Sequence, residues 1–146
     1  AAHDFARQLL SDGVAEGVAR AALSGVPCQI RVDWLAQQHG AIVDLKTSDD
    51  LTFFEADAKR YGYAYQMAFY RSVLASAAEV DPCGIPVYMI AVEKREPFRV
   101  GVWRMSDRVL AVAQAENDAA IERLKRCRNS DSWPTGYEEL RVFDAI

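Results

Sequence analysis

Between Ala41 and Thr47 the chain reads Ala-Ile-Val-Asp-Leu-Lys-Thr, an apolar, β-branched run that suits a buried strand and yet carries two opposite charges. It demands a sheet around it and a reason for the charges. Successive strand side chains point to opposite faces, so Asp44 and Lys46 share one face while Leu45 turns the other way, into the core. Asp33 lies in an earlier strand-like run, Gln29 to Leu35, and Gln37-Gln38-His39-Gly40 is short and polar enough to be the hairpin loop between the two. Such a hairpin sets Asp33 beside Asp44. Two adjacent carboxylates raise each other's pKa unless a cation lies between them, the usual electrostatic reason for a Mg²⁺ site. Lys46 can then orient or deprotonate an attacking water and offset charge building on a phosphate. Taken alone, an Asp-x-Lys triplet is equally a surface ion pair on an edge strand, worth at most about 1 kcal/mol.

Beyond a polar loop, Thr47 to Thr52, the segment Phe53 to Ala78 has no Pro and only Gly62 to weaken it, which predicts one long helix. Lys59, Tyr63, Gln66 and Tyr70 fall along one stripe of that helix, a polar and aromatic line that can hold DNA phosphates, with Phe54, Ala58, Tyr61, Tyr65, Ala68, Phe69 and Val73 as apolar surface around it. Taken singly, Tyr63 and Tyr70 are also what half-buried tyrosines look like, and Gln66 a solvated or core-satisfied amide. Gly17 to Leu23, Ser24-Gly25 and Val26 to Leu35 read as strand, tight turn and strand. Ile85 to Val92 and Phe98 to Met105 read as two further strands around a charged turn, Glu93 to Pro97, and Asp107 to Arg128 as a helix. The order is helix, hairpin, strand, helix, strand, strand, helix, an α/β sheet flanked by helices.

Half of the 146 residues are apolar, enough for one domain with a proper core. No apolar stretch approaches the ~20 residues that span a bilayer, so no membrane partner and a cytoplasmic location are expected. Cys28, Cys83 and Cys127 are scattered, with no Cys-x-x-Cys, and indicate neither a disulfide framework nor a zinc or iron–sulfur site. The net charge of −4 gives no general pull on nucleic acid, although acidic residues at a metal site can coexist with a local basic groove. Arg123, Lys125, Arg126 and Arg128 suit a helix C-terminus, which leaves Lys59, Arg60 and Arg71 as the better-placed cations for DNA.

Asp33, then Asp44-Leu45-Lys46, then Gln66-Met67-Ala68-Phe69-Tyr70 resembles the D…DxK…QxxxY signature of the PD-(D/E)xK nuclease superfamily, in its RecB-like and RecE-type phage recombination exonuclease branch. Arg31 to Leu35, Ile42 to Thr47, Tyr61-Gly62-Tyr63, Ala91 to Lys94 and the tail Trp133-Pro134 with Tyr137 are similar to the C-terminal nuclease domain of that branch. The resemblance implies a restriction-endonuclease-like core with a central mixed β-sheet flanked by helices. It also implies Asp33, Asp44, the Leu45 carbonyl and Glu16 as metal ligands, Lys46 as the catalytic lysine, and Gln66 and Tyr70 as substrate-holding partners. Lys59 and Tyr63 join those two as DNA contacts.

The function implied is Mg²⁺-dependent (or Mn²⁺-dependent) 5′-to-3′ exonuclease action on double-stranded DNA ends, as a ring-shaped homo-oligomer working with a single-strand annealing protein in phage-type recombination. The alternatives are a repair or restriction-type endonuclease and a non-catalytic DNA- or protein-binding module on the same fold. RecB-like nucleases usually add an upstream helical His to the metal site, and neither His3 nor His39 fits that place. Residues 1–146 are therefore expected to be a single nuclease domain that is a fragment lacking an upstream segment.

Overall fold

Two turns fold the first third of the chain into a meander. At the first, Ser24 and Gly25 both take positive φ (48° and 78°), the geometry that lets a two-residue loop match the twist of its strands. It joins β1 (Gly13–Leu23) to β2 (Val26–Ala36), and Gln37–Gly40 joins β2 to β3 (Ala41–Ser48), both pairings antiparallel. The computed structural model describes residues 3–146. A parallel partner for β3 requires a crossover connection. That crossover consists of α2 (Phe54–Arg60) and α3 (Tyr63–Ala78), numbered after the short α1 (Asp4–Leu9) that opens the chain. β4 (Val87–Glu93) then runs parallel to β3, β5 (Val100–Arg104) returns antiparallel, and α4 (Asp107–Ser130) closes the fold. The sheet order is β1-β2-β3-β4-β5, a mixed sheet flanked by helices as the sequence predicts.

The two sheet faces are covered unequally. On one, Ile30, Val32, Ile42 and Val87 pack under Met67, Ala68, Val73 and Ala75 of α3, with Leu110 and Ala113 of α4 completing the layer. Beside them Phe54 of α2 seals Met89 and Ala91 of β4. On the other face α1 lays Ala6 and Leu9 on Ala36, Val43 and Ile90, pinned by a 2.9 Å bond from the Trp34 indole to the Leu9 carbonyl.

Three expectations are corrected here. The helix foreseen over Phe53–Ala78 is two helices, broken at Gly62, whose left-handed φ of 68° turns the chain between the Phe54 seal and the layer of α3. Leu45 does turn away from Asp44 and Lys46, but it is 48% exposed, because α1 covers Val43 and Ile90 and does not reach it. Arg71 does not face a groove. It is buried between α3 and α4, paired at 2.8 Å with Asp107. Beyond Asp131 the tail has no regular secondary structure, and Tyr137 and Phe143 are exposed.

Candidate active site

The β2–β3 ladder stops at Trp34 opposite Val43. The next pair in that register would be Asp33 with Asp44, but here the Asp33 carboxylate accepts the Leu45 N–H at 2.8 Å, and no backbone bond forms. β3 therefore parts from β2 and continues beside β4 alone, to Ser48 opposite Glu93. The β1–β2 register skips the neighbouring position, Glu16 opposite Asp33, where Glu16 takes the left-handed φ of 56°. At this parting, the notch of the sheet, Asp33 lies on β2 and Asp44 on β3.

Asp44 is 3% exposed, and burial pushes its carboxyl pKa up; the Lys46 ammonium beside it lowers it again, and the Asp33 carboxyl raises it. Lys46 Nζ sits 2.7 Å from Asp44 Oδ2 and donates to Gln66 Oε1 at 3.1 Å. Gln66 Nε2 in turn donates to the Tyr70 hydroxyl at 3.1 Å, and the Tyr63 ring centroid lies 4.4 Å from the ammonium. Asp44, Lys46, Gln66 and Tyr70 thus form one connected chain from β3 to α3, roofed by Tyr63. Gln66 and Tyr70 lie one turn apart on the same side of α3, which lets them bond to one another while Gln66 meets Lys46.

Two of the foreseen site residues stand apart. The Glu16 carboxylate lies 2.8 Å from Arg31 Nε, both side chains exposed, instead of joining the two aspartates. Lys59 belongs to α2, before the break, and lines a hollow with Ala64, Arg108 and Val109 on the α4 side. His39 packs edge-on against Phe5, and His3 caps α1 by accepting the Ala6 N–H.

The loop after β3 is held by a clamp that sequence reading missed. Glu93 accepts the Leu51 N–H at 3.0 Å and the Arg99 guanidinium at 2.9 and 2.6 Å, while Arg99 also reaches Asp50 at 3.1 Å. The Arg99 bonds, with that of Leu51, hold the Glu93 carboxyl down at about 2. An acidic residue ending an apolar strand, with an arginine six residues on, was the available signal.

A divalent cation fits the oxygen donors of the notch. Asp44 Oδ2 is buried, with the Lys46 ammonium 2.7 Å away as its close charged neighbour. Asp33 and Asp44 supply two carboxylates, and Mg²⁺ is typically held by one or two carboxylates with water and phosphate oxygens filling its other positions. Among the described residues no three His, Cys, Asp or Glu side chains gather as a metal-binding group.

A mixed sheet with this crossover and this Asp-x-Lys strand places the protein in the PD-(D/E)xK nuclease-fold class. The chain belongs to the family described as "PDDEXK-like domain of unknown function (DUF3799)", whose model matches residues 1–145. In structure it is similar to a candidate exonuclease from Eubacterium rectale, with a TM-score of 0.71 and 18% identity over 99% of this chain. The alignment covers 57% of that protein, so the chain spans little more than half its length. An alkaline exonuclease from Laribacter hongkongensis aligns with a TM-score of 0.37 and 15% identity, over 88% of this chain and 70% of that one. No curated protein matches the sequence significantly. Among the described residues no helix is long and apolar enough to cross a membrane.

Proposed function

We propose that this protein hydrolyses DNA phosphodiester bonds with a divalent cation, and that it is an exonuclease of the RecE-like kind. The observation that carries the proposal is the connected chain Asp44, Lys46, Gln66 and Tyr70 beside Asp33, at the point where β3 leaves β2. Asp33, Asp44 and the Leu45 carbonyl are assigned as ligands of Mg²⁺, with Mn²⁺ an acceptable substitute and Glu16 able to join only by releasing Arg31. When bound, the cation polarises the phosphate and lowers the pKa of its water.

The protein's own groups do the rest. Lys46, held by Asp44 and Gln66, orients the attacking water and offsets charge on the phosphate. Water adds its oxygen to phosphorus and gives up one proton to solvent, the bond to the 3′-oxygen breaks, and that oxygen takes up a proton from solvent and leaves as a hydroxyl. Gln66 and Tyr70 hold the sugar-phosphate chain, and Tyr63 keeps the ammonium from wandering by covering it with its π face. The RecE-type motifs extend the proposal to 5′-to-3′ digestion of double-stranded ends by a single cytoplasmic nuclease domain, in a ring, beside a single-strand annealing partner in phage-type recombination.

Linear duplex DNA labelled at one 5′ end, compared with a covalently closed circle, tests the assignment. Mg²⁺-dependent loss of the linear form with the circle intact is expected. Cutting of the circle would replace the exonuclease with an endonuclease, and resistance of both would leave a binding module.

A further inference from the structure

We infer that Tyr61, together with Arg60, is a stacking platform for an unpaired nucleobase next to the scissile phosphate. The inference rests on the nuclease reading and extends it to the kind of DNA the site prefers.

Tyr61 is 61% exposed, yet its ring stacks on Tyr63 with centroids 6.1 Å apart and planes inclined by 28°. Tyr63 is the ring that covers Lys46 at 4.4 Å, and from within Phe54 backs it at 6.3 Å, itself tilted against Trp103 at 4.3 Å. The Arg60 guanidinium carbon stands 5.6 Å from the Tyr61 ring centroid. An aromatic series therefore runs from the core, past the lysine, and ends in solvent with a cation beside it.

Single exposed aromatics are common and need no explanation. This one is different because the bend at Gly62 that seats Phe54 and α3 also sets it against the ring that covers Lys46. In an unbroken helix residues two apart lie about 200° apart around the axis, and Tyr61 could not reach Tyr63. The left-handed Gly62 removes that separation and brings the two rings together.

The chemistry of the platform selects its ligand. Aromatic faces repel phosphate oxygens and attract flat π systems, and a guanidinium adds stacking and charge. Bases inside a duplex offer no free face, so the ligand is a base of a single strand or a frayed end, to which each aromatic contact contributes without reading sequence. Tyr61 thus favours an end that presents at least one unpaired nucleotide.

Binding by fluorescence anisotropy, in Ca²⁺, to a duplex with a short overhang tests this, using overhangs with bases and with abasic residues. The wild type is expected to prefer the base-bearing overhang by roughly tenfold. Tyr61→Ala should bind both alike, at the abasic level, and Tyr61→Phe should keep the preference. A wild type indifferent to the bases, or a Tyr61→Ala variant that retains the preference, would overturn the inference. Hydrolysis measured in Mg²⁺ on the same DNA separates the two claims: turnover without base preference sinks the platform alone, and base preference without turnover sinks the nuclease alone.

Discussion

Lys46 is held from three sides, and each hold has a separate consequence. Gln66 is the only one of them that also bonds onward, to Tyr70, so Gln66→Ala should release both the ammonium and the tyrosine hydroxyl. We expect turnover to fall roughly tenfold to a hundredfold, the scale of a small misplacement, with Mg²⁺ affinity unchanged because Gln66 is no ligand. Calorimetric Mg²⁺ titration beside steady-state kinetics checks this; lost metal binding would mean Gln66 shapes the carboxylates. Glu93 makes a pH prediction. Its pKa is about 2 when folded against an ordinary 4.5, so between those values the unfolded chain binds a proton that the folded one does not. Its stabilising contribution is whole above about pH 4.5 and is lost as pH falls through about 2. Denaturant titrations across that window should show Glu93→Gln with a flatter decline than the wild type, and an unchanged slope would remove the clamp from the account. At this scale the sequence was legible where pattern fixes the face, as for Asp44 and Lys46. It was not for Leu45 or Arg71, whose exposure depends on how far α1 reaches and on what α4 brings to Arg71.

The elements around the site were mostly legible because their punctuation is local. Ser24-Gly25 and Gln37–Gly40 mark both hairpins, and the helix over Asp107–Ser130 lies within two residues of its expected end. Gly62 stood out as the weak point of the expected helix, but the sequence did not decide that the helix breaks there, for a physical reason. A lone glycine is tolerated inside a helix at about 1 kcal/mol, and only the need to seat Phe54 over Met89 while Met67 packs beside Ile42 forces the turn. Gly62→Ala tests that turn. A methyl group there would lie 3.1 Å from the Tyr65 ring, on a backbone conformation that L residues adopt at a cost. A loss of about 1–2 kcal/mol in urea unfolding is expected. A stabilised variant would mean that the helix straightens without penalty, and the Tyr61–Tyr63 stack with it would be incidental.

At the scale of the molecule, the site follows from one topological event: β3 loses its antiparallel neighbour β2 partway along its length while its parallel neighbour β4 stays beside it. The sheet held by β2 ends at Val43, the sheet held by β4 continues to Ser48, and the charged residues lie in the gap. Sequence could place Asp33 near Asp44 through the hairpin, but no spacing announces the left-handed turn at Glu16 in β1 or the pairing of Glu16 with Arg31. The most direct test sets metal binding against hydrolysis in Asp44→Asn and Lys46→Ala, on linear duplex DNA in Mg²⁺. Asp44→Asn should lose both, while Lys46→Ala should bind Mg²⁺ like the wild type and hydrolyse DNA orders of magnitude more slowly, because the Lys46 ammonium acts on the transition state. Hydrolysis undiminished in Lys46→Ala, or Mg²⁺ binding undiminished in Asp44→Asn, would contradict these roles.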